Sequence, residues 1–335
     1  MKKVQLLLLI AVVGLVMVLS ACGSNKETDI SSPNEQVSVK IGVQHAVHPL
    51  VLAQKKGWIE EEFAKHNAKV EWVEIQGGPA QFEALLTNRL DLAITGNTGV
   101  ITGQIADIPF KEIAIGSTGQ KNVGILLPKG SAVKNVADLK GKKIAVAKAT
   151  AAYDILFRLL DQAGLKGSDV QIIQLNADEA KAAFLGGSID AWGIGEPYLS
   201  TAVVDDGAIV LADGATINYT SPAFQIARTK FTEEHPELVT AYLKVMENTI
   251  RWQNENLDEA VNVYAEGTKL NPDVVKSVIH NVSFANVPVS DAFVKAQGEL
   301  SEFLFKEKAV DKTVDPSLVV NNTFIEQALK ELDNK

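Results

Sequence analysis

A single cysteine occurs among 335 residues. It is Cys22, close to the amino terminus, so the fold that follows can contain no disulfide and must be held by packing. Basic residues are also short, with 32 Lys and Arg against 41 Asp and Glu and a formal charge of −9. That balance, with no basic cluster anywhere, excludes a nucleic-acid surface and a folded face drawn to anionic lipid. Only five histidines are present. His45 and His48 are near each other, but His66, His235 and His280 are scattered, so a metal centre lacks its third ligand. Nowhere does the chain carry a Gly-x-Ser-x-Gly elbow, a phosphate loop or a His-Glu-x-x-His helix. Catalysis therefore has little to stand on, and no cofactor is called for.

What is present begins with the leader. Lys2 and Lys3 precede a nearly unbroken apolar run from Leu6 to Leu19. That run is too short to span a bilayer, and it reads as a signal peptide over residues 1–21. The following Leu19-Ser20-Ala21-Cys22-Gly23 resembles the lipobox of bacterial lipoproteins, which implies lipid on Cys22. The protein would then sit on the extracytoplasmic face of the cell membrane. Residues 22–36 are polar and aperiodic and read as a flexible tether.

From Val37 the pattern is globular, and an apolar fraction of 46% supports a substantial core. Val37 to Val43 and Val70 to Ile75 alternate as strands, with a helix after Pro49 and another running from Gly78-Pro79 to about Asn88. Strand and helix signals keep alternating to about Val210, which predicts an α/β architecture with mainly parallel sheets. Glu237–Asn254, Asp258–Glu266, Pro272–Ile279, Asp291–Phe305 and Thr323–Leu332 then read as helices bounded by Pro, Gly, Asn or Asp. One internal echo crosses this plan. Leu85 to Asn97 and Leu185 to Glu196, aligned on Asp91 and Asp190, both show a helix end, a turn, an aliphatic–Asp pair, a strand and a glycine. Two occurrences fit two similar lobes rather than a repeat array.

Ligands in open α/β sheets bind beyond the carboxyl ends of strands, where helix N-termini present N–H groups. The loops in that position are 44–48, 76–79, 95–98, 148–152 and 193–197. They nominate Gln44, His45, Gly78, Thr95, Asn97, Thr98, Lys148, Thr150, Trp192 and Glu196 as ligand-binding residues. Glycines and hydroxyls at helix starts suit an anionic group. Each residue also has a plainer reading. Thr98 and Thr150 would serve as N-caps, Trp192 would fill a core, and Glu196 would either meet a cationic ligand group or cap its helix.

Several segments together carry a family resemblance. They are Gly57-Trp58, Trp72-Val73-Glu74 with Gly78-Pro79, Glu83-Ala84-Leu85 leading to Leu90-Asp91, and Leu127-Pro128-Lys129-Gly130-Ser131. Val136 to Lys143, Asp178 to Ala183, Gly187 to Trp192 and Leu211 to Gly214 complete the series. In this order, from Val37 to about Lys308, the chain resembles the solute-binding lipoproteins of ABC importers in the aliphatic sulfonate, taurine and nitrate group. The resemblance implies a bilobed type II periplasmic-binding-protein architecture with a ligand cleft between two α/β lobes and a helical C-terminal segment. Lobe one would take residues 37–124, lobe two 125–218, and residues 219–335 would return to lobe one and add the helices. It further implies a small organosulfur anion as ligand, an ABC permease and its cytoplasmic ATPase as partners, and no enzymatic role. Nothing in the chain calls for more than a monomer. The chain departs from the sulfonate-binding pattern at Asn97-Thr98-Gly99, Ala149-Thr150 and Gly195. These departures keep nitrate or a thiamine-related pyrimidine open as cargo, beside an enzyme or sensor on the same fold.

Overall fold

The computed structural model describes residues 36–334 apart from residue 76. The leader, Cys22, the tether up to residue 35 and Gln76 lie outside the described residues.

Two mixed sheets organise the chain. The first half of lobe one runs β1 Val37–Val43, α1 Pro49–Lys56, α2 Trp58–Ala64, β2 Ala68–Glu74, α3 Gly78–Leu86, β3 Leu92–Gly96, α4 Asn97–Ile105 and β4 Phe110–Thr118. Lobe two follows with β5 Val123–Leu127, β6 Lys143–Ala145, α5 Ala151–Gln162, β7 Gln171–Ile173, α6 Ala177–Leu185, β8 Ala191–Gly195, α7 Tyr198–Val204 and β9 Ile209–Asp213. The return comprises β10 Ala223–Arg228, α8 Thr229–Glu234, α9 Pro236–Glu255, α10 Leu257–Thr268, α11 Pro272–Asn281, β11 Ser283–Val287, α12 Asp291–Lys306 and α13 Thr323–Asp333. Strand order is β11-β4-β10-β3-β1-β2 in the first sheet and β7-β6-β8-β5-β9 in the second.

The alternation of strand and helix is as the sequence predicts, but the sheets are less parallel. β1 pairs with β3, and β6 with β7 and β8, in parallel. β10, however, inserts antiparallel between β3 and β4, and β5 lies antiparallel to β8 and β9. The reason is the crossing between lobes. A strand arriving from the other lobe enters the sheet from the opposite end, so it cannot run with its neighbours. The helix after Pro49 is interrupted at Gly57 as its sequence suggests: at φ 73° that glycine ends α1 with a left-handed residue, and α2 starts afresh at Trp58.

The internal echo has a structural counterpart. Asp91 N donates to Lys40 O and accepts Lys40 N on Oδ2, at 2.8 and 2.9 Å. Asp190 makes the same pair with Lys143, both bonds at 2.8 Å. In each lobe an aspartate thus locks the start of one central strand to the next.

The chain passes between lobes twice, after β4 and before β10. The two crossings are tied by Ser221 N to Gly119 O at 2.9 Å and Ala215 N to Gln120 O at 3.0 Å. They lie so close that a Cβ on Gly214 would come within 2.6 Å of the Gln120 carbonyl oxygen. The C-terminal helices, expected on lobe one, touch both lobes. Leu300 and Leu304 of α12 pack with Ile101 of α4. Phe303, on the next face, stacks against Phe157 and Tyr153 of α5, with centroids 5.7 and 6.4 Å away.

One buried carboxyl sets a pH dependence. Glu112 of β4 is fully buried; its Oε2 accepts from Gln297 Nε2 at 3.1 Å, and its Oε1 has no partner. Burial pushes its pKa from 4.5 up to about 8. The folded protein therefore keeps a proton that the unfolded chain has already released, and stability is lost as pH rises from about 4.5 towards 8. Glu112→Gln should match the parent near pH 5 in urea unfolding. Towards pH 8 it should become the more stable, by up to about 1.4 kcal/mol per pH unit. Parallel stability curves for the two proteins would refute this role.

Candidate functional site

Three helix N-termini meet at the gap between the lobes. α3 and α4 start from Gly77 and Gly96, neither of which provides a side-chain cap. α5 starts from Thr150, whose Oγ1 accepts from Tyr153 N at 3.2 Å and donates to Ala147 O at 2.7 Å. Some of the first-turn N–H groups are already taken, Thr98 N by Asn97 Oδ1, Tyr153 N by the Thr150 cap and Asn97 N by Pro222 O, while the positive ends of the three helix dipoles face the gap. A cavity of about 510 Å³ lies there, lined by Gly78, Pro79, Phe82, Thr95, Gly96, Thr98 and Gly99 from one lobe and by Lys148, Ala149 and Thr150 from the other.

Local sequence explains the close approach. Gly99 lies one helical turn into α4, directly over the Thr95 hydroxyl, and a Cβ there would collide with Thr95 Oγ1. Ala149 holds the left-handed region at φ 57°, which turns the chain sharply from strand to α5. Lys148 supplies the only charged side chain in this lining. Its Nζ donates to Lys308 O at 2.7 Å, across from its own lobe, and its N donates to Gln174 Oε1 at 2.8 Å. Neutral N–H groups, the hydroxyls of Thr95, Thr98 and Thr150 and one lysine can solvate a monovalent anion.

A second cavity of about 280 Å³ adjoins the first, sharing Gly96 and Thr98. It is mostly apolar, with Val47, Val123, Ala151, Pro197, Val278 and Phe284 in its wall. His48, Asn97, Asn122 and Glu196 add polar groups. Asn97 Oδ1 accepts from Thr98 N at 2.9 Å and its Nδ2 donates to Tyr219 OH at 3.2 Å. Tyr219 bonds Asp154 in turn, and Arg158 holds that carboxylate at 2.9 and 3.0 Å. Burial, with the Asp154 charge behind it, drives the Tyr219 phenol well above its ordinary pKa. A continuous polar chain thus runs from the cleft through the crossing segment into lobe two.

The sequence-nominated residues divide three ways. Gly78, Thr95, Thr98, Lys148 and Thr150 line the larger cavity, and Asn97, Thr98 and Glu196 line the smaller. Thr98 is not the cap of α4 but its second residue; the cap is Gly96. Gln44 and His45 fall outside both linings. Gln44 Nε2 donates to Ile94 O at 3.1 Å, tying β1 to β3, and the exposed His45 stands 3.6 Å from Glu74. Trp192 must be corrected. It is 1% exposed, between Phe184 and Tyr198 in the core of lobe two, with no face left for a ligand. The strand alternation of β8 turns it inward.

Glu196 is already engaged. Oε2 accepts from Ser200 N at 3.1 Å, and Oε1 accepts from Ser200 Oγ at 2.7 Å and Asn281 Nδ2 at 2.8 Å. Burial raises its pKa. It caps the start of α7 and ties lobe two to α11. The sequence reading missed Phe82, Gly99, Asn122 and Phe284, and it weighed His48 only as a metal partner for His45. Among the described residues no group of three or more His, Cys, Asp or Glu is placed to hold a metal.

Comparison with known proteins bears on the fold and the family. The family model described as NMT1/THI5 like matches residues 44–260. A Bacillus subtilis strain 168 protein named as an aliphatic sulfonates-binding protein is 46% identical over 324 residues, 96% of this chain and 97% of that protein. The crystal structure of the periplasmic aliphatic sulphonate binding protein SsuA from Escherichia coli superposes with a TM-score of 0.78 at 28% identity, covering 85% of this chain and 97% of that one. The alkanesulfonate-binding SsuA of Xanthomonas axonopodis pv. citri, bound to MOPS, gives 0.75 at 28% identity, covering 86% and 99%. With the fold and these relatives in agreement, the chain belongs to the NMT1/THI5-like family and is related to these aliphatic-sulfonate-binding proteins.

Proposed function

We propose that this protein captures small aliphatic sulfonates outside the cytoplasmic membrane and delivers them to an ABC permease, without transforming them. The observation that carries the reading is the convergence of α3, α4 and α5 on one cavity of about 510 Å³. A sulfonate has three oxygens and one charge, and N–H groups from three helix starts can meet them without a counter-ion. Lobes joined by two short crossings would close on the bound anion, and the closed form would be the one presented to the permease. Cys22 would carry the lipid that keeps a monomeric carrier beside that permease, on the extracytoplasmic face.

Thermal unfolding of the lipid-free protein tests the cargo. An alkanesulfonate at a hundred times its dissociation constant should add about 2.7 kcal/mol to the unfolding free energy. Sulfate, nitrate and an aminopyrimidine serve as competitors. A shift with nitrate or the pyrimidine, and none with any alkanesulfonate, would discard the sulfonate assignment and retain the transport role. Chemical conversion of a bound sulfonate would discard the carrier reading itself.

A further inference from the structure

His48 does something the two-histidine metal reading could not anticipate. It is the N-cap of α1, and its Nδ1 accepts from Leu50 N at 3.1 Å. A neutral imidazole that accepts at Nδ1 carries its proton at Nε2. That Nε2 is buried and has no hydrogen-bond partner. The ring is packed edge-on against Phe284, centroids 5.5 Å apart, at the wall of the smaller cavity. Burial holds its pKa near 4, so the ring stays neutral and the orphan group is a donor. A buried donor left unpaired costs stability, which an acceptor reaching it would recover.

We propose that the smaller cavity receives the end of the cargo opposite the sulfonate, and that His48 Nε2–H selects cargo bearing a hydrogen-bond acceptor at that end. Gly96 and Thr98 line both cavities, so a cargo long enough to bridge them would place its anion at the helix starts and its tail beside His48. The apolar wall from Val47, Val123, Val278 and Phe284 suits a short methylene chain, and the donor suits a terminal hydroxyl or ether oxygen. The preferred cargo class is therefore a substituted alkanesulfonate rather than a plain one. This inference rests on the sulfonate reading above.

Isothermal titration of hydroxyalkanesulfonates of two, three and four carbons tests it. Each is paired with the alkanesulfonate in which a methyl replaces the hydroxyl. The parent protein should prefer the hydroxyl member of at least one pair by about tenfold, the discrimination expected when a buried donor would otherwise stay unpaired. His48→Asn keeps an acceptor for Leu50 N but withdraws the ring, and the preference should collapse while thermal stability stays near that of the parent. No preference in the parent at any length overturns the inference without touching the sulfonate reading. A preference that survives His48→Asn overturns the role of His48. Failure of every sulfonate to bind overturns both, and the parent protein alone decides the matter if the variant does not fold.

Discussion

Asp91→Ala should lower the unfolding free energy by about 3–5 kcal/mol, the cost of stripping one partner from a buried ion pair. Asp91 is 4% exposed. Arg228 reaches its Oδ1 through Nη2 at 2.6 Å and Nε at 3.1 Å, while Lys40 N occupies Oδ2. Removing the carboxylate leaves a guanidinium and a backbone N–H unpaired at the centre of the first sheet. Asp190→Ala is the natural control. It breaks the equivalent bond to Lys143 N, but the carboxylate is 42% exposed and its lysine neighbour, Lys142, stands 3.9 Å away. Water replaces what is lost there, so the expected cost is about 1 kcal/mol. Urea unfolding of both variants measures the difference. Equal losses would mean that Arg228 finds another partner and that the ion pair is not what distinguishes the two lobes.

That contrast also shows what the sequence could and could not convey. The aliphatic–Asp echo was legible because both lobes need the same local solution: a strand that must start in register beside another. The return strand made legible nothing of the kind. Ala223–Arg228 reads as a short apolar run, and only its arrival from the second lobe makes it antiparallel. β11 was hidden for a different reason. Its buried member is Asn286, which accepts from Gln225 and donates to Leu243 O, so the residue facing the interior is polar and the alternation disappears. At the site, glycines and threonines at helix starts were readable from spacing and composition. Trp192 and His48 were not, because their roles depend on which way each side chain turns. Strand alternation sends the indole into a core, and the cap of α1 swings the imidazole to a cavity wall. Chemistry carried by backbone direction can be read from a chain; chemistry carried by side-chain direction waits for the fold.

The same distinction yields the sharpest test of the anion site, Ala151→Pro. Ala151 is the first residue of α5, and the preceding Thr150 is extended at φ −118°, ψ 161°, a conformation that tolerates a following proline. Proline is favoured at a first helical position, and its missing N–H belongs to a turn that lacks intrahelical partners anyway. The cap from Thr150 Oγ1 to Tyr153 N is untouched. Stability should therefore change by less than about 1 kcal/mol. Affinity should not survive so well. A hydrogen bond from that N–H to a sulfonate oxygen is charge-assisted, and its loss should weaken binding by about 10- to 100-fold in isothermal titration. Ala151 borders the smaller cavity, next in the chain to Thr150 of the larger one, where the path from anion to tail would begin. Proline there should weaken plain and hydroxyl-bearing sulfonates alike, because both would present the same anion. Unchanged affinity would take the anion away from α5 and leave the glycine-started helices of lobe one to hold it. Closure of lobe two would then have to be driven by something other than the charge.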